Sequence, residues 1–241
     1  MGIGSFLSKY VGKNVMLTFV QVELLIGVVG GSSAAILFML FEHVEHFRVL
    51  LYAIVAIIGI LVGLEVPLLM RILKDRLEFK DLVSQVFTFD YVGALLASLC
   101  FPLVLVPHLG LLRSSFLFGL LNVLVALWTM QLLQKELPWR RSLQSVAVVL
   151  IVFLVCGFAF SEKITTWSEA SAFQDPVIYA ASTPYQRIVI TGGGKDIKLF
   201  LNGNLQFNSR DEYRYHEALI HPAMASLDNP QKVLVLGGGD G

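Results

Sequence analysis

The first two-thirds of the chain consists of long apolar stretches separated by short polar connectors. A helix needs about 20 apolar residues to cross the hydrocarbon layer of a membrane. Five stretches approach that length, and the third is the shortest; they are residues 15–41, 49–70, 91–106, 111–133 and 143–160. The pattern predicts an α-helical membrane bundle of about five transmembrane helices, in a multi-pass protein of the cell membrane.

After Phe160 the apolar segments become short, and charged residues become denser. Residues 177–181, 185–191 and 197–201 alternate or are apolar with β-branched content, which predicts strands. Asn202-Gly203-Asn204 joins the third strand to residues 205–207. An Asn-Gly pair between apolar segments is a strong hairpin signal, because both residues tolerate positive φ. The tail therefore begins with a small antiparallel β module.

A helix and a glycine-rich turn follow the β module. Residues 211–227 are predicted to be helical, with Ser209 as the N-cap and Pro222 breaking or kinking the helix. Four apolar residues, 233–236, then lead into Gly237-Gly238-Gly239-Asp240-Gly241, a pattern typical of a buried parallel strand and a ligand-binding turn.

A single parallel strand needs neighbouring strands, and its sheet needs helices on both faces. Residues 233–236 are therefore expected to be the first strand of a Rossmann-like α/β domain of the methyltransferase type, truncated in this chain. We divide the chain into a multi-pass transmembrane domain at 1–160, a linker and β-hairpin module at 161–208, and the start of the Rossmann-like domain at 209–241.

Composition supports the membrane prediction. The 241 residues are 56% hydrophobic and only 15% charged, against roughly 25% charged in soluble domains. The 18 basic and 18 acidic residues cancel, so nothing indicates a nucleic-acid partner. Basic residues concentrate in alternate connectors, which places the N-terminus inside. Five full spans would then leave the tail outside, so either the tail is external or one stretch does not span.

Three acidic residues lie within or beside the apolar stretches: Glu23, Glu65 and Asp90. A lone charge in lipid is costly, so such residues usually face the interior of a bundle. Pro67 is expected to break the helix that carries Glu65. Two interpretations of Glu65 stay open, namely a polar site inside the bundle or an interfacial residue paired with Arg71 or another neighbour.

Two further segments of this half are interpreted structurally. His43 and His46 in residues 42–46 share a helix face, but no third ligand cluster accompanies them, so we predict a polar connector and no metal site. The small residues at 30–35 are of the kind that lets membrane helices pack closely.

Four ordered motifs of the tail resemble those of spermidine synthase. They are TPYQ at 183–186, LNGNLQ at 201–206, DEYRYHE at 211–217 and VLVLGGGDG at 233–241. The segments GLEVPLL at 63–69 and FDYVGALL at 89–96 are similar to the membrane-associated form of that family, which carries a multi-helix domain before the enzyme. The family pattern has Asp where Asn202 stands, a departure that keeps the turn chemistry.

The resemblance implies transfer of an aminopropyl group from decarboxylated S-adenosylmethionine to putrescine or a similar amine, with no cofactor. By position, Gln186 would contact the nucleoside part of the donor, while Tyr215 and His216 would line the amine-binding cleft. The glycines Gly237, Gly238 and Gly239 would approach the donor, and Asp240 would hold an ammonium group.

The resemblance also implies what lies outside the chain. The family's catalytic Asp and ribose-binding acid would both follow Gly241, so these 241 residues alone are expected to be inactive. The expected partners are the two substrates, membrane lipid and, as one option, a second copy of the chain.

Two other functions remain open. The chain could be a catalytically inactive multi-pass membrane protein with a binding or transport role. The only sequence feature that suggests such a role is the set of acids Glu23, Glu65 and Asp90. It could also be a membrane-attached methyltransferase-like enzyme, since a glycine turn after a strand serves any adenosyl ligand.

Overall fold

The computed structural model of the chain describes residues 1–12, 14–41, 44, 46–133, 139–183, 185–194 and 196–237. These residues form two compact units, Met1–Ser168 and Glu169–Gly241. Glu42, His43 and Glu45 of the polar connector lie outside the described residues.

Helices build the first unit. In the described residues they are α1 (Gly2–Leu7), α2 (Val15–Leu40), α3 (Phe47–Leu73), α4 (Phe79–Cys100), α5 (Val106–Leu132) and α6 (Arg140–Ala172). A 3₁₀ turn, Ser8–Tyr10, follows α1, and a π-helical segment, Phe101–Leu105, joins α4 to α5.

Apart from Phe41 and Leu133, the predicted apolar stretches lie in these helices and in the π-helical segment. Among the described residues, four helical segments are long and apolar enough to cross a membrane, and one of them is the 54-residue run Phe79–Leu132. Gly110, with φ 76° and ψ 176°, interrupts that run between the third and fourth predicted stretches. A residue with a Cβ rarely adopts this conformation, so the glycine allows the chain to turn there.

The predicted break at Pro67 is wrong. α3 continues through Pro67 to its end at Leu73, because proline removes one backbone donor while the turns on either side keep their own hydrogen bonds. α6 continues past Phe160 to Ala172, so residues 161–174, predicted as a surface linker or a short helix, begin as helix. There the Thr165 hydroxyl donates to the Ser161 carbonyl at 3.1 Å, as a helical turn allows.

The core of the first unit lies where α2, α5 and α6 meet. Its fully buried side chains are Val20, Val123, Ala126, Met130, Ala147 and Leu154. A second, smaller cluster joins α2 to α3 and consists of Phe19, Val22, Ile26 and Leu68. Helix α2 therefore contacts α5 and α6 through one cluster and α3 through the other.

Small residues permit the close approach of α2 and α5. A Cβ added at Gly31 would lie 2.7 Å from Cδ2 of Leu154 and 3.1 Å from the Gly119 Cα. The Ser115 hydroxyl of α5 lies 2.9 Å from the Gly30 carbonyl oxygen and 2.8 Å from that of Gly31. These contacts confirm that the small-residue segment of α2 serves close packing.

The second unit contains an antiparallel sheet in which four strands follow one another in chain order. They are β1 (Val177–Ser182), β2 (Arg187–Gly193), β3 (Asp196–Leu201) and β4 (Asn204–Asn208). Asn202, with φ 51°, and Gly203, with φ 79°, form the two-residue turn between β3 and β4. The predicted Asn-Gly hairpin is confirmed, and its positive φ angles are those of a type I′ turn.

Helix α7 spans Glu212–Ala225 and corrects two predictions. Pro222 does not break it, and its N-cap is Asp211, not Ser209. The Ser209 hydroxyl instead accepts a hydrogen bond from the Ile197 N–H at 2.8 Å, and the Ser209 N–H donates to the Ile197 carbonyl at 2.9 Å. Ser209 therefore extends the β3–β4 pairing, which competes successfully with the capping role.

The predicted parallel strand at 233–236 is not formed. Val233, Leu234, Val235 and Leu236 are 64%, 81%, 72% and 85% exposed, and they lie in irregular backbone. A strand is stable only when neighbouring strands take its backbone hydrogen bonds. No described strand runs beside these residues, so their apolar side chains have nothing to pack against.

Gly30 and Gly31 of α2 differ in the space available for a side chain. Gly31→Ala should destabilise the chain by about 1–3 kcal/mol, because the added methyl meets the Gly119 backbone. Gly30→Ala is the matched control, since its Cβ would have no neighbour closer than 3.9 Å. It should be neutral or stabilise by up to about 1 kcal/mol through helix propensity. The measurement is the thermal unfolding midpoint in detergent, and equal shifts in both variants would contradict the proposed packing.

Candidate functional site

A groove of about 250 Å³ lies between β4 and α7. Strand β4 contributes Gln206 and Phe207 to its walls, and α7 contributes Glu212, Tyr215 and His216. Tyr215 and His216, which the family resemblance assigns to an amine-binding cleft, therefore line the same depression. The hairpin turn determines this arrangement, because it returns β4 alongside β3 so that α7 follows directly on the edge strand.

Polar and aromatic groups face this groove together. His216 Nδ1 lies 3.4 Å from the Glu212 Oε2, one helical turn earlier in α7. The Tyr215 and His216 rings meet edge to face, with their centroids 5.6 Å apart. Carboxylate oxygens, a phenol and an imidazole beside apolar surface suit an organic cation, which needs acceptors for its N–H groups and contact for its methylenes.

Glu212 was not predicted as a site residue. The signal was present in the sequence, because Glu212 and His216 are separated by four residues and so share one face of a helix. Asp211, at the N-cap of α7, also lines the groove. Arg214 lines it as well, so two acidic side chains and one arginine face the groove.

Gln186 is not among the described residues that line this groove. It occupies a turn before β2, where its N–H donates to the Thr183 Oγ1 at 3.0 Å and its carbonyl accepts from the Thr183 N–H at 2.9 Å. The next N–H, of Arg187, donates to Asn202 Oδ1 at 2.9 Å. Gln186 therefore lies at the hairpin end of the sheet, whereas α7 follows the opposite end of β4.

The glycine-rich turn is described only at its first residue. Gly237 has φ 92°, which favours glycine over any residue with a Cβ. Gly238, Gly239 and Asp240 lie outside the described residues. The donor-binding roles of all four stay predictions.

A second cluster of polar residues lies in the helical unit. Glu23, Glu65 and Asp90 belong to three successive helices, α2, α3 and α4. Glu23 shares the α2 face of Phe19 and Ile26, and that face packs against Leu68, one turn from Glu65 in α3. Glu23 is only 5% exposed.

Two of these three carboxylates line the same depression between helices. Glu65 and Asp90 line one groove of about 350 Å³ between α3 and α4. The sequence predicted the three acids together as one possible intramembrane polar site, and the structure places two of them, Glu65 and Asp90, in one groove.

Arg71 does not pair with Glu65, so the predicted Arg71 partner of Glu65 is wrong. The Arg71 guanidinium donates to the backbone carbonyls of Ser8 at 2.9 Å and Val11 at 2.8 Å. It satisfies the carbonyls at the end of the 3₁₀ turn that follows α1. Within the described part of the chain, the carboxylates of Glu23 and Glu65 form neither a hydrogen bond nor an ion pair.

Similarity to known proteins is found both in the tail and along the whole chain. The family model described as the spermine/spermidine synthase domain matches residues 212–241. The match begins at the first residue of α7, the helix that carries Tyr215 and His216. It therefore includes the helical wall of the groove between β4 and α7, the tail groove.

Curated relatives align with the entire chain. It is 53% identical to a polyamine aminopropyltransferase of Leptospira interrogans, 52% to polyamine aminopropyltransferase 2 of Ralstonia nicotianae and 38% to a polyamine aminopropyltransferase of Oceanobacillus iheyensis. All 241 residues are covered in each case, against 48%, 49% and 48% of the relatives. The chain thus spans about half the length of the curated relatives it matches. No solved structure matches it.

The Asn202 side chain joins the β3–β4 turn to the start of β2 through the Arg187 N–H. Asn202→Ala should weaken the hydrogen bonding at the start of β2, because it removes the acceptor of the Arg187 N–H. It also places alanine at a positive φ, which asparagine tolerates better. We expect amide hydrogen exchange in the peptide containing Arg187 to accelerate about tenfold, as a loss near 1.4 kcal/mol implies. Asn202→Asp is the matched control and should keep slow exchange, since Asp also supplies an acceptor oxygen. Equal acceleration in both variants would contradict this role.

Proposed function

The chain belongs to the spermidine synthase family of polyamine aminopropyltransferases, and we propose that it forms the N-terminal part of a membrane-bound member. The proposed reaction moves an aminopropyl group from decarboxylated S-adenosylmethionine to putrescine. The observation that carries the proposal is the tail groove, where Tyr215 and His216 lie beside Glu212 at the start of the family match.

The proposed chemistry is a displacement at carbon. The neutral amine nitrogen of putrescine attacks the methylene carbon beside the sulfonium, a C–N bond forms and the C–S bond breaks. The sulfur keeps the bonding electrons and leaves as methylthioadenosine, while the attacking nitrogen loses a proton to a base. The protein must therefore hold a polycationic amine in place and keep its attacking nitrogen unprotonated.

The residues of this chain would contribute binding and orientation. Glu212 offers carboxylate oxygens and its partner His216 a directional hydrogen-bonding group, and Tyr215 adds a phenol with an apolar ring. Gln186 is proposed to contact the nucleoside part of the donor, and Asp240 to hold an ammonium group. The base that takes the proton is proposed to belong to a part of the enzyme that follows these residues.

The exposed apolar segment 233–236 fits the same proposal. Four adjacent apolar side chains in contact with water are costly, at about 25 cal/mol for each Å² that could be buried. The cost disappears if the segment becomes the first parallel strand of a Rossmann-like domain completed by further chain. The glycine turn after it would then approach the donor.

We also propose that the helical unit is a multi-pass membrane domain in contact with lipid. Four described helical segments have the length and composition to cross a bilayer, and large apolar side chains such as Tyr52, Val55 and Leu95 are exposed on them. In water such surface would be unfavourable, whereas lipid tails solvate it. The basic connectors support an N-terminus on the inner side.

The membrane proposal predicts how the chain fractionates. Alkaline carbonate strips peripheral proteins but leaves spanning helices in the bilayer, so the expressed chain should stay in the membrane pellet. An immunoblot of pellet and supernatant measures this, with an endogenous peripheral protein as the internal control. Release of the chain into the carbonate supernatant would contradict the proposal.

The enzyme proposal is tested by completing the chain. Residues 1–241 joined to the remaining part of the Leptospira interrogans relative should release methylthioadenosine from decarboxylated S-adenosylmethionine and putrescine. The 241-residue chain alone should release none. A folded fusion that lacks activity, beside an active Leptospira enzyme, would count against the proposal.

Two histidines of α7 test the groove in that fusion. His216→Ala should raise the KM for putrescine about 10-fold to 100-fold, as expected for loss of a hydrogen bond involving a charged group. His221→Ala is the matched control, because His221 lies on the same helix and is not among the described groove residues. Equal KM values for the two variants would remove His216 from the amine site.

A further inference from the structure

We propose that residues 1–11, the N-terminal segment, lie in one leaflet of the membrane beside α3 and contact phospholipid with the side that faces away from α3. The contacting side chains are Ile3, Phe6, Leu7, Lys9 and Tyr10. The inference rests on the proposed membrane location of the helical unit and deepens it, because the apolar pattern places the first span only at residue 15.

Backbone contact holds the N-terminal segment against α3. A Cβ added at Gly4 would overlap the Ile60 carbonyl, and one added at Gly63 would overlap the Met1 backbone. Ser8, one helical turn after Gly4, is only 6% exposed. Small residues that face a neighbouring helix permit such close approach in membrane proteins. The side of the segment that carries Gly4 and Ser8 is therefore the side that contacts α3.

Large side chains occupy the rest of the surface of the N-terminal segment. Ile3, Phe6 and Tyr10 are 65%, 58% and 69% exposed. Small residues toward a helix and large apolar residues away from it are typical of an element at the edge of a membrane bundle. Water would hydrate this apolar surface unfavourably, whereas acyl chains would cover it.

The position of the N-terminal segment along α3 corresponds to one leaflet. Met1 lies against Gly63, whereas the carbonyls of Ser8 and Val11 accept hydrogen bonds from the Arg71 guanidinium at 2.9 and 2.8 Å. Gly63 and Arg71 are about 12 Å apart along the helix axis, since a helix rises about 1.5 Å per residue. The hydrocarbon of one leaflet is about 15 Å deep, half of a core of about 30 Å. The segment therefore extends from the charged end of α3 toward the middle of that span.

The order of side chains along the N-terminal segment matches the polarity of a leaflet. Ile3 lies at the deep end, and Lys9 and Tyr10 lie at the charged end of α3. The Lys9 Nζ stands 3.7 Å from the ring centroid of Phe6 and 4.8 Å from that of Tyr10. Tyrosine and lysine suit the level where acyl chains meet headgroups, because each joins an apolar body to a polar tip. A phosphate headgroup therefore complements Lys9, and acyl chains complement Ile3.

Polar backbone groups at the end of the N-terminal segment are satisfied within the protein. The Ser8 hydroxyl donates to the Ser5 carbonyl at 2.6 Å, and the Val11 N–H donates to the Ser8 carbonyl at 3.1 Å. The Arg71 guanidinium donates to the Ser8 and Val11 carbonyls. Hydrocarbon offers no hydrogen-bonding partners, so an inserted segment needs such internal ones. The arrangement therefore favours insertion of the segment.

Fluorescence quenching by spin-labelled phospholipids tests the inference on the full 241-residue chain in lipid nanodiscs. Both native cysteines, Cys100 and Cys156, are replaced by alanine before a single cysteine is introduced for a nitrobenzoxadiazole label. With Ile3→Cys we expect strong quenching by a doxyl group deep in the acyl chain. With Tyr10→Cys we expect stronger quenching by a doxyl group near the headgroup. Ile57→Cys, on the exposed surface of α3, is the reference for a label in lipid.

Two glycines separate the contact with α3 from a general effect of substitution. Gly4→Ala adds a methyl that meets the Ile60 carbonyl, so the Ile3→Cys label should lose its quenching by the deep doxyl group while the Ile57→Cys label keeps it. Gly2→Ala is the matched control, since nothing lies within 4 Å of its added Cβ. It should leave the quenching unchanged. Equal quenching in the two variants would overturn the role of the α3 contact in placing the segment.

The Ile57→Cys reference distinguishes failure of this inference from failure of the membrane proposal. If that label is quenched and the Ile3→Cys label is quenched by neither lipid, the segment lies outside the bilayer and the inference is wrong. If neither label is quenched, the membrane proposal fails and the inference fails with it. Disulfide cross-linking of two Ile3→Cys chains, together with an unquenched label, would assign the surface to a second copy of the chain and would also overturn the inference.

Discussion

The close contact between α2 and α5 is the constraint on which the helical unit depends. Gly31 and Gly119 leave no room for a Cβ between the two backbones, and the Ser115 hydroxyl bonds the α2 carbonyls at the same level. In the proposed lipid environment, where burial of hydrocarbon supplies little driving force between helices, such backbone proximity and polar bonding would supply the association energy. α2 is thereby held with its opposite face against α3, and that face carries Glu23.

This packing explains how an acidic residue, Glu23, can be buried between helices. Glu23 could be buried only because α2 is fixed between its neighbours, and its burial is tolerable only if the cost is offset elsewhere. The α2–α5 contact and the two apolar clusters supply stabilisation that does not involve the carboxylates. A polar group retained at a cost to stability is a common mark of a functional site, because packing alone would replace it by an apolar side chain.

Periodicity and turn chemistry predicted what depends on local sequence. The apolar stretches became helices, and Asn202-Gly203 became a tight turn with both φ angles positive. Predictions failed where a local preference met a competing contact. Ser209 pairs with Ile197 instead of capping α7, and Arg71 binds the carbonyls after α1 instead of Glu65. These partners are far away in sequence, so no local pattern could indicate them.

The same distinction applies to the sites. The family motif identified Tyr215 and His216 but not Glu212, although the four-residue spacing to His216 places it on the same helix face. Segment 233–236 shows why a strand cannot be predicted from one segment alone. Its apolar residues favour a strand, but a strand forms only when a second chain segment pairs with its backbone. The apolar sequence of 233–236 therefore forms a strand only where a neighbouring strand accepts and donates its backbone hydrogen bonds.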